Sequence, residues 1–346
     1  MNFERLRFSD VPWEELDSFA DRTIFQTREW ITFLVNTQCA EPVVARLTSH
    51  RRTAGYFTGL IFQRFGVRIL GSPFPGWTTS FMGFNLRPGT NRSDALRALK
   101  AFAFRDLKCW HVEVCDPHFS CDDGRGAGYK CTSTFTYQSD LTLSEDELFR
   151  RIEPTCRNKV RQAERKGVII EDAHDFGFAA EYYAQLIQVF AKQNLYPTYT
   201  QERVEQLIDS LLPSGHLLLL RARDPAGACI ATGIYAGVNK LAEFWGNASS
   251  QSSLHLRPNE AMHWYAMRYW KKIGLETLNW GRGAYKEKYG VVRAPIARLS
   301  QSRLPMIGVL RDNAERAFYW KRQLSATFKN KGDARSSPSA GKGGRH

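Results

Sequence analysis

The second half of the chain alternates between stretches with helical spacing of apolar residues and short runs typical of buried strands. The run IEPTCRNKVRQAERKG predicts a helix, because Pro154 suits a first helical turn and Gly167 suits the position after the last one. Thr200 is a good N-cap and predicts the start of a later helix. After the first helix, the predicted elements are a strand at 168–172, helices at 176–193 and 201–212, strands at 216–222, 228–237 and 240–247, a helix at 258–274, and strands at 275–280 and 293–303.

The first half shows a weaker version of the same order. Its predicted elements are helical stretches at 26–36 and 93–106 and strands at 43–48, 54–62, 66–70, 110–114 and 132–139. Two copies of one α/β unit would form a cleft where the two domains meet, and ligand sites often lie at such interfaces. The sequence therefore predicts an α/β (α+β) protein of two tandem domains, 1–150 and 151–328, each a mixed sheet flanked by helices. The Gly, Ser and Lys-rich tail at 329–346 is expected to be disordered.

The composition excludes several classes of protein. Aromatic side chains make up 13% of the 346 residues and no short period repeats, which excludes disordered, collagen-like and coiled-coil chains. The longest apolar runs, such as HLLLL from His216, are far shorter than the roughly 20 residues of a membrane span. Charged residues follow Met1 where a secretion signal has its apolar core, so we expect a cytoplasmic protein with no integral membrane segment.

The positive charge is concentrated in the second half. Lys and Arg number 48 against 35 Asp and Glu, a formal net charge of +13. Residues 1–150 carry 18 basic and 18 acidic side chains, residues 151–328 carry 25 and 16, and the tail carries 5 and 1. This asymmetry indicates an anionic partner held by the second half, with a solvated basic face as the alternative.

The seven cysteines form no CxxC pair. Cys109 and Cys229 lie in apolar sequence, which is typical of buried thiols in a reducing compartment. Four cysteines and two histidines lie near one another in the sequence and could in principle surround a zinc ion, but their spacings are too wide for the usual pairs of zinc ligands. They are Cys109, Cys115, Cys121, Cys131, His111 and His118. Glu260 and His263 form a single E-x-x-H, whereas a di-iron site needs two. We therefore expect thiols and no metal site.

Three segments of the second half resemble the FemAB branch of the GNAT acyltransferase superfamily, whose fold has the strand order predicted above. They are CRNKVRQAERKGV at 156–168, PNEAMHWYAMRYWKKIGLETLNWG at 258–281 and YKEKYG at 285–290. The first segment is similar to the family's basic helix ending in Lys-Gly-Val. The second is similar to its helix and strand ending in an aromatic-Gly pair, and the third to its aromatic-Lys-x-x-aromatic-Gly signature. SPFPGW at 72–77 is compatible with the same family.

The resemblance implies two tandem GNAT-like domains and a transferase that moves an acyl or aminoacyl group. The branch includes peptidoglycan-bridge aminoacyltransferases and acetyltransferase-like proteins of exopolysaccharide gene clusters. The implied acceptor is an amino group of a cell-envelope or polysaccharide precursor, whether a small molecule, a lipid-linked compound or a nucleotide sugar. DNA is not expected as a partner, because the chain has no classical nucleic-acid motif.

The resemblance implies that the donor is acyl-CoA or aminoacyl-tRNA, with no tightly bound cofactor. Acetyl-CoA enzymes of the GNAT type hold the pyrophosphate in a glycine-rich turn between the fourth strand and the next helix. The corresponding junction here, ASSQSSLHLRPNEA, has no glycine, and Pro258 removes one N–H. This departure disfavours coenzyme A and favours a FemAB-like donor, so transfer RNA is a possible partner.

Glu243 is the candidate base for the attacking amine. In KLAEFWGN a period of two places Leu241, Glu243, Trp245 and Asn247 on one face. A carboxylate beside Trp245 on a central strand should be desolvated and have a raised pKa, as a base near neutral pH requires. Pairing of the carboxylate with a neighbouring arginine is the alternative. Trp245 is expected either beside the substrate or in the core.

The loop GRGAYKEKYG follows a predicted buried strand, at the end of a sheet where ligands are usually bound. In bridge-forming enzymes the corresponding lysine is expected to meet substrate phosphate or the reacting carbonyl, and the resemblance places Lys286 there. Lys288 is the second candidate, and Arg282 is expected to bind substrate. Tyr289 either donates a proton to the leaving group or packs in the core.

The remaining candidates lie on two helices. Arg157 and Arg161, followed by Arg165, repeat at four-residue spacing and repel one another unless an anion or facing carboxylates neutralise them. We therefore expect Arg157 and Arg161 to bind the carrier in one pocket with Lys286. Asn259 and Glu260, in the first turn after Pro258, are expected to face the cleft or to cap the helix.

Two other functions remain open. One is an acetyl-CoA-dependent GNAT N-acetyltransferase acting on a small amine, which the missing glycine turn disfavours. The other is a non-catalytic tRNA- or polyanion-binding protein, whose binding would weaken steeply as the salt concentration rises.

Overall fold

The structure is a computed structural model that describes residues 1–64, 66–175, 177–192, 194–311 and 313, so the predicted tail at 329–346 lies outside the described residues. The strands are β1 (Asn2–Leu6), β2 (Glu41–Ser49), β3 (Arg52–Arg64), β4 (Val67–Ser72), β5 (Gly83–Leu86), β6 (His111–Asp116), β7 (Lys130–Asp140), β8 (Ile169–Asp172), β9 (Leu217–Arg223), β10 (Cys229–Val238), β11 (Leu241–Ser249), β12 (Thr277–Gly281) and β13 (Val292–Ser302). The α-helices are α1 (Trp13–Asp17), α2 (Arg28–Gln38), α3 (Arg92–Ala101), α4 (Cys121–Gly126), α5 (Glu145–Arg151), α6 (Pro154–Arg165), α7 (Gly177–Ala191), α8 (Gln201–Leu211) and α9 (Pro258–Lys272).

The two halves build the same arrangement of strands. In the first half β1, β2, β3 and β4 are antiparallel neighbours in that order, and β4 runs parallel to β6. In the second half β8, β9, β10 and β11 are antiparallel neighbours, and β11 runs parallel to β12. The predicted fold class, α/β with mixed sheets flanked by helices, is confirmed.

The last strand of each half is exchanged with the other half. β7 pairs with β12, β13 pairs with β6, and β7 and β13 pair with each other from Val292↔Gln138 to Ser300↔Lys130. The exchange joins the two sheets into one sheet with the order β1-β2-β3-β4-β6-β13-β7-β12-β11-β10-β9-β8. The centre of the molecule therefore depends on strands from both halves, and the proposed boundary at residue 150 falls within α5.

Three apolar cores lie on the two faces of the sheet. One lies under α3 in the first half and another under α9 in the second. The third contains side chains of both halves, with Trp30 and Phe33 of α2 in one cluster with Tyr182 of α7 and Leu207 of α8. Because burying one such side chain contributes about 1.5–3 kcal/mol, this shared core stabilises the contact between the halves.

Cys121 and Cys131 form a disulfide that joins α4 to the start of β7, with their Cα atoms 5.5 Å apart. The expectation of free thiols at these two positions is therefore wrong, because the turn between α4 and β7 brings the two side chains together. The free thiols are Cys39, Cys109, Cys115, Cys156 and Cys229. Within the described ranges, no helix is both long enough and apolar enough to cross a membrane.

Candidate active site

β11 and β12 lie side by side for only three residue pairs and then separate. Their parallel ladder runs from Leu241↔Thr277 to Glu243↔Asn279, whereas β11 continues to Ser249. At this point Trp245 is an extra residue in the ladder between β10 and β11, so β11 contains a β-bulge. The gap opens at the carboxyl ends of two parallel strands, where open α/β sheets commonly bind ligands.

At this gap, a cavity of about 850 Å³ lies between the two halves of the chain. Its walls come from the loop 73–80, from 132–136 of β7, from 243–245 of β11, from the segment 280–286, and from Ile296 and Arg298 of β13. Its volume is in the range of small-molecule and cofactor sites. The strand exchange is what brings β7 and β13 of the central ladder to this wall.

Glu243 is the one carboxylate among the described residues that line the cavity. Its side chain is 2% exposed, and its two oxygens accept hydrogen bonds from Asn279 Nδ2 at 3.0 and 2.8 Å. Oε2 also accepts from Ser80 Oγ of the first half at 3.3 Å. Burial raises the pKa of Glu243 to about 8, and the hydrogen bonds from Asn279 and Ser80 oppose the rise. The structure thus places a desolvated acid where the strand pattern predicted one.

Lys286 lies in the same cavity, on a short 3₁₀-helix over Ala284–Tyr289. The side chain is 5% exposed, and its Nζ donates to the carbonyl oxygen of Trp280 and lies 4.9 Å from the ring centre of Phe244. Burial lowers the pKa of Lys286 to about 8, while Glu243 raises it. The cavity therefore contains a buried acid and a buried amine whose pKa values are both close to neutral.

The loop that carries Lys286 is held at its end by Gly290, whose φ is +70°. A Cβ atom at Gly290 would lie 2.6 Å from the backbone carbonyl of Arg151. The backbone N–H of Glu153 donates to the carbonyl of Lys288 at 2.9 Å, so the loop is fastened to the junction between α5 and α6. The glycine of the YKEKYG segment is thus explained by a close backbone approach.

Gly290→Ala is expected to lower the melting temperature more than Gly274→Ala. Both glycines have positive φ (+70° and +91°), so each alanine has a similar backbone cost. A Cβ atom at Gly274 would have no neighbour within 4 Å, whereas one at Gly290 meets Arg151, which should add about 1–3 kcal/mol of overpacking. Thermal unfolding followed by circular dichroism measures the difference, and equal melting temperatures would show that the loop is not clamped against α5.

Tyr289 packs against the aromatic residues behind the cavity. Its ring stacks on Trp280, with centroids 5.1 Å apart, and contacts His263 edge-on at 4.9 Å. Burial raises the pKa of Tyr289 well above its usual range, and Tyr289 is not among the lining residues. This geometry favours the packing interpretation over proton donation.

His263 shares a hydrogen bond of 2.6 Å with the hydroxyl of Tyr235, and burial lowers the pKa of His263 to about 3, so His263 is neutral.

Arg157 and Arg161 do not lie in the cavity with Lys286. Arg157 Nη1 donates to the carbonyls of Arg150 and Ile152 at 2.6 and 3.1 Å, which closes the end of α5. Arg161 lies over the ring of Phe149 and lines a separate outer groove between α6 and α9. The expectation that the three cations share one pocket is wrong, because α6 packs against α9 and not against the strand ends that form the cavity. A carrier-binding role for Arg157 and Arg161 stays a prediction.

The bulge at Trp245 changes which side chains of β11 share a face. Trp245 contacts Tyr182 and Tyr199 on the side of α7, and a Cβ atom at Gly246 would meet the same Tyr182 hydroxyl. Asn247 instead donates to Asn259 of α9 at 3.0 Å. The prediction that Asn247 shares a face with Trp245 is therefore wrong, because one extra residue reverses the alternation beyond it.

The first turn of α9 is occupied by internal contacts. Asn259 also donates to Ser249 Oγ at 3.1 Å. Glu260 pairs with Lys288 at 2.8 Å and with Lys159 at 3.7 Å. Asn259, Glu260 and Lys288 are not among the residues that line the cavity, whereas Trp245 and Arg282 are.

Sequence reasoning missed Asn279 and Ser80, which fix the Glu243 carboxylate. A signal existed for Asn279, since an amide inside the apolar strand LETLNW needs a buried partner. Ser80 had no such signal, because it lies 163 residues from Glu243 in the chain. Sequence reasoning also missed Thr132, Thr134 and Thr136 of β7, which line the cavity.

Comparison with known proteins supports the fold and identifies a known domain in the second half of the chain. Residues 150–289, which include Glu243 and Lys286, match the family model of an acetyltransferase (GNAT) domain. The crystal structure of FemX is similar, with 13% identity, coverage of 85% of this chain and 96% of that one, and a TM-score of 0.67. A tandem GNAT protein from the clavulanic acid biosynthesis pathway has 12% identity, coverage of 88% and 99%, and a TM-score of 0.53.

A conserved protein of unknown function from Bacteroides thetaiotaomicron is also similar, with 10% identity, coverage of 87% and 99%, and a TM-score of 0.57. No curated protein sequence matches the chain. At these identities the similar structures establish the fold alone, and the family model establishes the domain. Residues 150–289 match a GNAT acetyltransferase domain, and the fold of the whole chain is similar to that of FemX and of a tandem GNAT protein.

Proposed function

We propose that this transferase moves an acyl group from an activated carrier to an amino group bound in the cavity between its halves. The observation that carries the proposal is the placement of Glu243 and Lys286 in one cavity, at the point where β11 and β12 separate. Acyl transfer to an amine needs a base for the ammonium proton and a donor for the developing oxyanion. These two side chains supply both.

The proposed reaction begins with removal of a proton from the bound ammonium by the Glu243 carboxylate. The amine nitrogen then attacks the acyl carbonyl, forming the new C–N bond while the carbonyl electron pair moves onto oxygen. The Lys286 ammonium donates a hydrogen bond to that oxyanion. When the tetrahedral intermediate collapses, the bond to the carrier breaks, and the sulfur or oxygen leaving group takes the remaining extra proton from the attacking nitrogen, which leaves a neutral amide. A carboxyl pKa of about 8 makes Glu243 a far better base than an exposed carboxylate.

A further feature supports binding of the reacting acyl group. Beyond Glu243 the edge of β11 is not paired with β12, so it offers backbone donors along one side of the gap. Backbone donors at the edge of a desolvated cavity are effective at stabilising developing negative charge.

For the donor, the GNAT family model supports acyl-CoA. The start of α9 is nevertheless unlike a phosphate-binding turn. Arg257 has φ of 64°, Pro258 removes an N–H, and the Glu260 carboxylate occupies the first turn. These features favour a donor held in another way, and they keep aminoacyl-tRNA as the second candidate. The proposed acceptor is an amine of a cell-envelope or polysaccharide precursor.

Incubating the full chain with acyl-CoA or with aminoacyl-tRNA, each with small amines and UDP-sugar peptides, tests the proposal. We expect an amide product by mass spectrometry with one donor, and loss of that product with Lys286→Ala. Lys272→Ala, at an exposed position near the end of α9, is the matched control and should keep activity. Product formation that Lys286→Ala leaves untouched would refute the mechanism. Salt-sensitive tRNA binding without any product would instead identify a polyanion-binding protein.

A further inference from the structure

One wall of the cavity is a strip of hydroxyl groups on β7. Thr132, Thr134 and Thr136 share one face of this strand, because side chains on a strand repeat with a period of two, and all three line the cavity. Thr136 donates to Asn279 Oδ1, and Asn279 in turn donates to Glu243. The strip therefore begins beside the proposed base and runs away from it along β7.

Two arginines lie along this strip, one at its middle and one at its far end. Arg298 of β13 is directly opposite Thr132 in the ladder, and residues opposite each other in an antiparallel pair point to the same face. Arg282 donates to Thr134 Oγ1 at 3.4 Å. Burial raises the pKa of the Cys115 thiol to about 11, and Arg298 and Arg282 both oppose that rise. The two guanidinium groups thus converge on one region of the wall.

The charge of this region is suited to an anion. The described lining residues include three cations, Arg282, Lys286 and Arg298, against the single carboxylate of Glu243. Glu113 and Asp116 also lie near Cys115. Glu113 accepts from Arg311 at 2.9 Å. Asp116 is fully buried and accepts from the backbone N–H groups of Phe84 and His118, both at 2.8 Å.

The length of the strip sets the distance between the anion and the reacting amine. Thr132 lies four residues from Thr136 on β7 and Thr134 lies two, which corresponds to about 13 and 7 Å along a strand. Arg298 lies beside Thr132, Arg282 donates to Thr134, and the Asn279–Glu243 pair lies beside Thr136. An acceptor that reaches both ends must therefore be elongated.

We propose that Arg282 and Arg298 bind an anionic group of the acceptor, which is an elongated amine carrying a phosphate or a carboxylate roughly 7–13 Å from the reacting nitrogen. The threonine hydroxyls contact the polar part of the acceptor between its two ends. The planar donors of arginine match phosphate and carboxylate equally well, so this shared chemistry defines the class. The inference rests on the proposed function, since it takes Glu243 as the base.

Isothermal titration calorimetry on the full chain tests this subsite by binding alone. The probes are aminooctyl phosphate, aminooctanoic acid, neutral aminooctanol, and aminoethyl phosphate, which is too short to reach both ends. We expect at least one long anionic probe to bind about tenfold or more tightly than both aminooctanol and aminoethyl phosphate, because an arginine–anion pair contributes more than a neutral contact. The phosphate and carboxylate arms show which anion the site prefers. The double variant R282Q/R298Q should lose the preference, whereas R268Q, which removes an outer pair with Glu145, should keep it.

Equal affinity of the unaltered chain for the anionic and neutral long probes would overturn the proposal without any variant. So would a folded R282Q/R298Q protein, as judged by its melting curve, that keeps the preference. The outcome is separable from the proposed function. If every transfer assay fails while the anion preference holds, the subsite stands and the acyltransfer mechanism falls. If transfer occurs without an anion preference, only the subsite falls.

Discussion

Glu243→Gln is expected to lower kcat/KM for amine acylation by about 10²- to 10⁴-fold at neutral pH, the usual contribution of a positioned general base. Glutamine has nearly the same shape and still accepts a hydrogen bond from Asn279 and Ser80, so the cavity should keep its form. It does not take a proton from the ammonium group. Initial rates with the donor and acceptor identified as above measure the effect.

The pH profile distinguishes a base from a merely structural carboxylate. Because the pKa of Glu243 is about 8 and only the ionised form accepts a proton, kcat/KM should rise as the pH rises toward 8. It should fall again at higher pH, because the Lys286 ammonium, whose pKa is also about 8, loses its proton there. Glu243→Gln should abolish the rising limb. Glu276→Gln, which replaces a carboxylate paired with Lys240 at 2.7 Å on the protein surface, is the matched control and should keep both rate and profile. A Glu243→Gln protein that keeps the rising limb would contradict the assignment.

The same variant should also change how the free energy of unfolding depends on pH. The pKa of Glu243 is raised from 4.5 to about 8 in the folded chain, so the folded state binds the proton more tightly than the unfolded state. The protonated Glu243 side chain therefore stabilises the folded state fully below about pH 4.5, and this contribution to the free energy of unfolding is lost as the pH rises to about 8. Urea unfolding of Glu243→Gln should lack this fall in the free energy of unfolding.

Lys286→Met is expected to lower kcat by about 10²- to 10³-fold with little change in KM, as for removal of one oxyanion donor. Methionine keeps an unbranched apolar chain in contact with the Phe244 ring, so the loop should stay folded. The loss falls on kcat because the hydrogen bond to oxygen strengthens as negative charge develops. Steady-state kinetics over a range of acceptor and donor concentrations separate the two constants.

Lys272→Met provides the comparison, since this lysine is exposed at the end of α9 and lies outside the cavity lining. It should match the unaltered chain in both constants. If Lys286→Met raises KM for the donor and leaves kcat unchanged, Lys286 binds the phosphates of the carrier instead, which is the other role that the family resemblance implies. That result would remove Lys286 from the chemical step.

Local signals in the sequence predict most of the second half correctly. Pro154 and Gly167 bound a helix that the structure places at Pro154–Arg165, and Thr200 precedes the helix that starts at Gln201. Capping residues and turns act through neighbours a few positions away, so a single sequence is enough to read them. In the first half the strands β1 and β5 and the helices α1, α4 and α5 were not predicted, and all five are short or depend on contacts far along the chain. β5, for example, pairs with Gly55–Thr58 of β3, and Phe84 N donates to Asp116.

The sequence by itself determined the order of elements, the basic second half, and the two side chains that carry the proposed chemistry. Glu243 stands out as an acid within an apolar strand, and Lys286 stands in a loop framed by glycines. Only the tertiary structure decided that β7 and β13 change places, that Ser80 reaches Glu243, that Asn247 turns toward α9, and that Arg157 and Arg161 lie outside the cavity. The physical reason is distance along the chain. Strand pairing and side-chain packing join residues more than a hundred positions apart, and a single inserted residue in a strand reverses every side chain beyond it.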